Sequence, residues 1–222
     1  MSQVTGLLVM DVDSTLIMEE GIDLLGEEAG VGQQVADITE RAMHGELDFE
    51  AALRERVSLL EGLPETIFSR IADKIHFTPG AKKLVDELHA RGYKVGLVSG
   101  GFHEVIDPIA QSLGIDLVQA NRLEVADGRL TGKVLGEVVR PEKKKETLLT
   151  WARDYHVQTS QTIAIGDGAN DLPMIKTAGM GIAFMAKPIV SRLAPYRIET
   201  RDLRLVLEIL DKHGKETRCI FY

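Results

Sequence analysis

Three short groups of side chains carry the chemistry of this sequence. Asp11-Val-Asp13-Ser-Thr15, Ser99-Gly100-Gly101 and Gly166-Asp167-Gly168-Ala-Asn170-Asp171 each follow a short apolar run. Residues two apart on a strand point the same way, so Asp11 and Asp13 can project together. Adjacent carboxylates repel, and a hard cation wanting oxygen ligands, such as Mg2+, makes both tolerable. Asp167 is the natural third ligand. The competing reading, that these aspartates only cap helices and turns, is weakest for the three together. An ionised Asp11 can attack phosphorus, as carboxylate nucleophiles do. Asp13, beside another carboxylate and partly desolvated, is expected to titrate high. It can then give a proton to a departing alkoxide and take one from the hydrolytic water.

Phosphoryl transfer also needs positive charge and donors around the equatorial oxygens. Ser99 offers a hydroxyl and Gly100-Gly101 closely approaching backbone N–H groups, read here as the start of a helix whose dipole favours anions. Lys143-Lys144-Lys145 begins another helix, where successive side chains point about 100° apart. One of the three can aim into the site, and the others form a solvated face.

The elements that must position these groups are short apolar strands. Residues 5–10, Tyr93–Val98, Gln161–Ile165 and Met180–Phe184 alternate with helical patterns at Ala81–Arg91, Glu104–Leu113 and Lys143–Tyr155. That alternation predicts an α/β fold with a Rossmann-like, mostly parallel sheet. Ligands of such sheets bind beyond the carboxyl ends of the strands, where all three groups would gather. Two stretches break the alternation. Residues 15–75 hold no strand and at least three amphipathic helices, predicting a helical insert. Residues 121–139 alternate around Asp127-Gly128, the mark of a β-hairpin.

Composition narrows the partners. The chain has 222 residues, 44% hydrophobic and 27% charged, with a net charge of -8. That balance suits a core-forming domain and argues against nucleic-acid binding by counterion release. A single cysteine, Cys219, suits a reducing compartment. The sequence shows no signal peptide and no apolar run long enough to span a bilayer, so cytoplasmic localisation is expected, with no membrane partner.

In order and spacing, Asp11-x-Asp13-x-Thr15, Ser99-Gly-Gly, a lysine and Gly166-Asp-Gly-x-Asn-Asp171 resemble the four-part signature of the haloacid dehalogenase (HAD) superfamily. Within it the chain resembles phosphoserine phosphatases from about Val4 to Lys212, including Ala120-Asn-Arg-Leu123, Ala186-Lys-Pro188 and Arg201-Asp-Leu-Arg204. The resemblance implies a HAD core (1–14 and 76–222) with a helical cap (15–75), and Mg2+ dependence. It implies hydrolysis of O-phospho-L-serine to serine and phosphate, the last step of serine biosynthesis, through an aspartyl-phosphate. Asp11 would be the nucleophile and Asp13 the general acid/base, with Asp11, the Asp13 carbonyl and Asp167 on the metal. Lys144 and Asn170 would meet the phosphate, and Asp171 would support the metal site from behind. Some relatives carry a regulatory domain before the core; this chain begins at its first strand, so none is expected.

The cap adds substrate-reading residues. Phe49, Leu53 and Leu60 form one helical stripe that also carries Arg56. An arginine there needs an anion, either Glu46, Glu50 or another acid nearby, or a substrate carboxylate held in a bidentate fork. Glu20 matches the family residue that meets the substrate ammonium, although helix-terminal charge complementarity is a competing role. Met43 and Phe49 match positions that cover the substrate; unaided, both read as core. Other phosphate esters, transfer to an alcohol such as homoserine, and a phospho-accepting signalling module are the alternatives. A monomer or homodimer is expected. The tail Lys215–Tyr222 has no assigned role, though its two terminal aromatics offer packing surface.

Overall fold

A computed structural model describes residues 4–219; the aromatics Phe221 and Tyr222 lie outside the described residues. The strands are β1 (Gly6–Met10), β2 (Tyr93–Phe102), β3 (Leu117–Ala126), β4 (Arg129–Leu135), β5 (Thr162–Gly166), β6 (Met180–Phe184) and β7 (Tyr196–Ile198). They form one sheet in the order β4-β3-β2-β1-β5-β6-β7. Every pairing is parallel except β3 with β4. β1, β5 and β6 are buried along their whole length, as expected for strands covered on both faces.

The strand period of two divides the core. Leu8 and Met10 face one layer, with Leu84 and Leu88 of α5 (Ala81–Ala90) and Ile106 of α6 (His103–Leu113). Leu7 and Val9 face the other, with Leu148 of α7 (Pro141–Asp154), Met174 of α8 (Leu172–Thr177) and Val190 of α9 (Pro188–Leu193). α7 opens on a proline at its first turn, where the missing N–H costs nothing. The last helix is α10 (Leu205–Cys219).

Two features depart from expectation. β2 does not end at Val98 but continues to Phe102, with a register shift against β3 between these residues. Ser99-Gly100-Gly101 is therefore irregular strand, not the first turn of a helix, and α6 starts beyond it. The helix dipole invoked for this segment is thus displaced. The short edge strand β7 gives no sequence signal, because three residues are too few to show a period.

Between β1 and α5 the chain forms α1 (Gly21–Glu28), α2 (Gly32–Met43), α3 (Phe49–Ser58) and α4 (Ile67–Ala72). α3 is capped by Asp48, whose side chain accepts the Ala51 N–H at 2.8 Å. The β3–β4 hairpin turns at Asp127-Gly128, both with positive φ. Its tip is bonded to this helical layer: Gly62 N–H donates to Leu130 O (2.8 Å), Leu130 N–H to Leu63 O (2.8 Å) and Glu65 N–H to Gly128 O (2.9 Å). Where the chain enters and leaves the helical layer, Ile17 bridges Phe77.

Candidate active site

The carboxyl ends of β1, β2 and β5 converge beneath the helical layer. A cavity of about 140 Å³ there is lined by Asp11, Asp13, Glu20, Phe49, Arg56, Gly100, Asp167, Asn170 and Lys187, among others. It adjoins a more open cleft that shares Glu20, Phe49, Arg56, Asn170 and Lys187 and adds Asp23 and Met43. Met43 is 75% exposed on that outer cleft, away from Asp11. Phe49 reaches inward: a Cβ at Gly100 would lie 3.3 Å from its Cζ.

Asp11 follows the last residue of β1 and is buried. Its Oδ1 accepts the Val12 N–H at 2.8 Å and lies 2.9 Å from Lys144 Nζ. Lys144 is fully buried and also lies 2.7 Å from Asp171 Oδ1. Of the three lysines, Lys143 instead pairs with Glu137 at 2.9 Å, and Lys145 is exposed. Burial opposes the Lys144 charge, but Asp11 and Asp171 outweigh it and hold the ammonium above its usual range. Asp171 Oδ2 accepts the Gly168 N–H at 3.0 Å.

Asp13 occupies the turn after Asp11, where the backbone has left the strand. Its Oδ1 accepts the Gly21 N–H at 2.7 Å and its Oδ2 the Ser99 hydroxyl at 3.3 Å. Burial first, and then Glu20, raise its pKa to about 7. Burial and Asp171 raise Asp167 to about 6. Burial and Asp171 push Asp11 up as well, against the pull of Lys144. Glu20 accepts the Ser14 hydroxyl at 2.7 Å.

Asp11, Asp167 and Asp171 can each direct one oxygen to within 4.8 Å of the others. Asp11 and Asp167, both raised by burial and by the nearby Asp171 charge, fit a divalent cation with oxygen preference. The Asp13 side chain is not in this group, and both Asp171 oxygens already hold protein donors.

Arg56 is half-buried on α3. Burial lowers its pKa, with Asp23, Glu20 and Asp13 opposing. Its Nε donates to Ala52 O (3.2 Å) and its Nη1 to Thr39 Oγ1 (3.4 Å). The acids proposed to neutralise it are engaged elsewhere, Glu50 by Arg54 and Glu46 by Arg41. Among the described residues Arg56 has no ion-pair partner.

Lys187 lines both spaces, and sequence reasoning gave it no role. Its position just beyond β6 was the available signal. Its backbone N–H donates to Asp167 O at 3.1 Å, and its charge tempers Asp167.

Gly166 makes the Asp171 geometry possible, since a Cβ there would fall 2.5 Å from the Asp171 Cβ. Gly166→Ala is expected to displace Asp171 from Lys144 and lower kcat about 100-fold, as near-1 Å misplacements do. Steady-state kinetics beside a melting curve separates this loss from unfolding.

A family model described as haloacid dehalogenase-like hydrolase matches residues 8–176. The chain is 66% identical to the phosphoserine phosphatase of Streptococcus thermophilus, covering 97% of this chain and 100% of that protein. Among solved structures it is similar to a phospho-aspartyl intermediate analogue of phosphoserine phosphatase, with a TM-score of 0.87, 46% identity, and coverage of 93% and 99% of the two chains. A substrate-bound phosphoserine phosphatase complex also matches with a TM-score of 0.87, at 45% identity and 94% and 99% coverage.

Proposed function

We propose that this chain, which belongs to the haloacid dehalogenase-like hydrolase family, hydrolyses O-phosphoserine to serine and phosphate. The observation that carries the reading is Arg56. A half-buried guanidinium without an ion-pair partner among the described residues shares one cavity with Glu20, Asp11 and Asp13. The substrate carboxylate supplies the missing anion, and Glu20 receives its ammonium. Phosphoethanolamine leaves Arg56 unpaired, and a sugar phosphate offers Glu20 no ammonium. The phosphoserine phosphatase relatives support the same substrate.

In this reading residues 15–75 cap a core of 1–14 and 76–222, and Asp11 is the nucleophile. Among the described residues its side-chain hydrogen bond and its ion pair both fall on Oδ1, leaving Oδ2 for phosphorus. As the Oδ2–P bond forms and the bond from phosphorus to the serine oxygen breaks, protonated Asp13 gives its proton to that oxygen. Asp13 then takes a proton from a water whose oxygen attacks phosphorus, releasing phosphate and restoring Asp11. A carboxyl titrating near 7 can serve both steps. Lys144, the Gly100 segment and Asn170 surround the phosphoryl oxygens, and Ser99 stands beside them with its hydroxyl donated to Asp13. Mg2+, held by Asp11, Asp167 and the Asp13 carbonyl, would screen the phosphoryl charge. The absence, among the described residues, of a helix long and apolar enough to cross a membrane is consistent with a cytoplasmic enzyme acting on a small molecule.

Phosphate and serine release from O-phosphoserine, with and without Mg2+, tests the reading. A tenfold preference for phosphoethanolamine or a sugar phosphate would sink the substrate assignment. Arg56→Ala is expected to cost about 10- to 100-fold in kcat/KM on phosphoserine, the range of a hydrogen bond to a charged group. On p-nitrophenyl phosphate, which has no carboxylate, the loss is expected to stay below about threefold. Equal losses would remove Arg56 from substrate recognition.

A further inference from the structure

A buried asparagine outside the cavity stands at one end of a hydrogen-bonded line that finishes on Asp13. Asn121 lies on β3 and is 1% exposed. Its Oδ1 accepts the Val139 N–H at 2.8 Å, and its Nδ2 donates to the Gly100 carbonyl at 2.7 Å. At the other end of the Gly100–Gly101 peptide, the Gly101 N–H donates to Ser99 Oγ at 2.8 Å. The Ser99 hydroxyl in turn donates to Asp13 Oδ2 at 3.3 Å. The partners settle the amide orientation, because Val139 N–H requires an acceptor and Gly100 O a donor.

β2 shifts register against β3 between Val98 and Phe102, and there side chains bond the Gly100–Gly101 peptide at both ends. All four bonds run donor to acceptor in one direction, and aligned bonds in a dry interior polarise one another. An asparagine side chain offers both a donor and an acceptor, as the two backbone groups here require. Val139 also leads into α7, which carries Lys144, so one amide joins two segments that reach the site.

We propose that Asn121 is a positioning residue. By fixing the Gly100–Gly101 peptide it holds the Ser99 hydroxyl on Asp13 and Gly100 at the cavity wall. This rests on the roles given above to Asp13 and Ser99.

Asn121→Asp is nearly isosteric and keeps the acceptor for Val139, but sets a second acceptor oxygen against Gly100 O. Per folded molecule, kcat on phosphoserine is expected to fall about 10- to 100-fold, the scale of a misplaced reacting group, while KM changes less than about threefold. Ser99→Ala should fall similarly, and the double variant no further than the worse single one, since both break the same line. A purely structural asparagine would lower the melting temperature while leaving kcat of the folded fraction unchanged, and its effect would add to that of Ser99→Ala. Either result overturns the proposal. Should Asn121→Asp not fold, Asn121→Ala enters the same cycle. The cycle is repeated with p-nitrophenyl phosphate, whose phosphoenzyme also needs Asp13 for hydrolysis. If phosphoserine is not turned over by the unaltered protein, the substrate assignment fails and this second substrate still decides the role of Asn121.

Discussion

Asp11→Asn will abolish phosphoserine turnover, with kcat down by at least about 10⁴-fold, as expected when a covalent nucleophile is removed. The reason lies in the carboxylate itself: an amide oxygen carries no full charge and forms no stable ester with phosphorus. The fold will survive. The asparagine Oδ1 can still accept the Val12 N–H that Asp11 holds at 2.8 Å, and Lys144 keeps Asp171 at 2.7 Å. Burial makes the ionised Asp11 costly in the folded state, so a neutral replacement at neutral pH lowers that cost. Acid quenching with radiolabelled phosphoserine supplies the check. Label should remain on the unaltered protein and be missing from the variant, while the melting temperatures agree within a few degrees. Full-speed cleavage by the variant would end the proposed mechanism.

Chelation will have an effect of similar size. Removing divalent cations is expected to lower kcat about 10³-fold or more, because uncompensated charge on the phosphoryl group costs several kcal/mol; Mg2+ should restore it. The same carboxylates then report on stability. Asp13 and Asp167 have folded pKa values of about 7 and about 6 against an ordinary 3.8. A raised carboxyl binds more protons folded than unfolded, so its contribution favours folding at low pH and is lost as pH rises through the folded value. Metal-free protein should therefore lose melting temperature from about pH 5 to about pH 7. Asp116 and Asp202, held below the ordinary range, act in the opposite sense, but only near or below pH 4. Mg2+ should restore the loss at pH 7 and above. Asp167→Asn should raise the metal-free melting temperature there while lowering activity. A pH-independent melting temperature would contradict this picture of the cluster.

Much of this arrangement was legible because parallel strands buried on both faces are written as apolar runs, and here the residues after them are polar. Met180–Phe184 matches its strand to the residue, the run 5–10 overshoots β1 by one residue, and Asp127-Gly128 locates the hairpin. Periodicity reduced three lysines to one but could not choose among them; resemblance pointed to Lys144, and the structure buries that residue. The extension of β2 through Ser99-Gly100-Gly101 was hidden, since glycines usually mark a turn and the strand here shifts register, with Asn121 bonded to the Gly100 carbonyl. Lys187 entered only within the Ala186-Lys-Pro188 resemblance and without a role, because one lysine beyond an apolar run does not show by itself that it faces the cavity. That Arg56 has no ion-pair partner among the described residues could not be read at all, since it depends on where Glu46 and Glu50 point. Sequence proximity offered both as partners, and three-dimensional packing gives each to a different arginine.

The bonds from the hairpin tip to Gly62, Leu63 and Glu65 limit how a substrate can get in. A lid swinging as one piece would have to strip three main-chain bonds from their partners at once. Opening is therefore expected at the opposite end, where Met43 is exposed and Phe49 Cζ lies close to Gly100. The Ser58 end of α3 lies against Gly132 of the hairpin, so phosphoserine is expected to enter at the Phe49 edge.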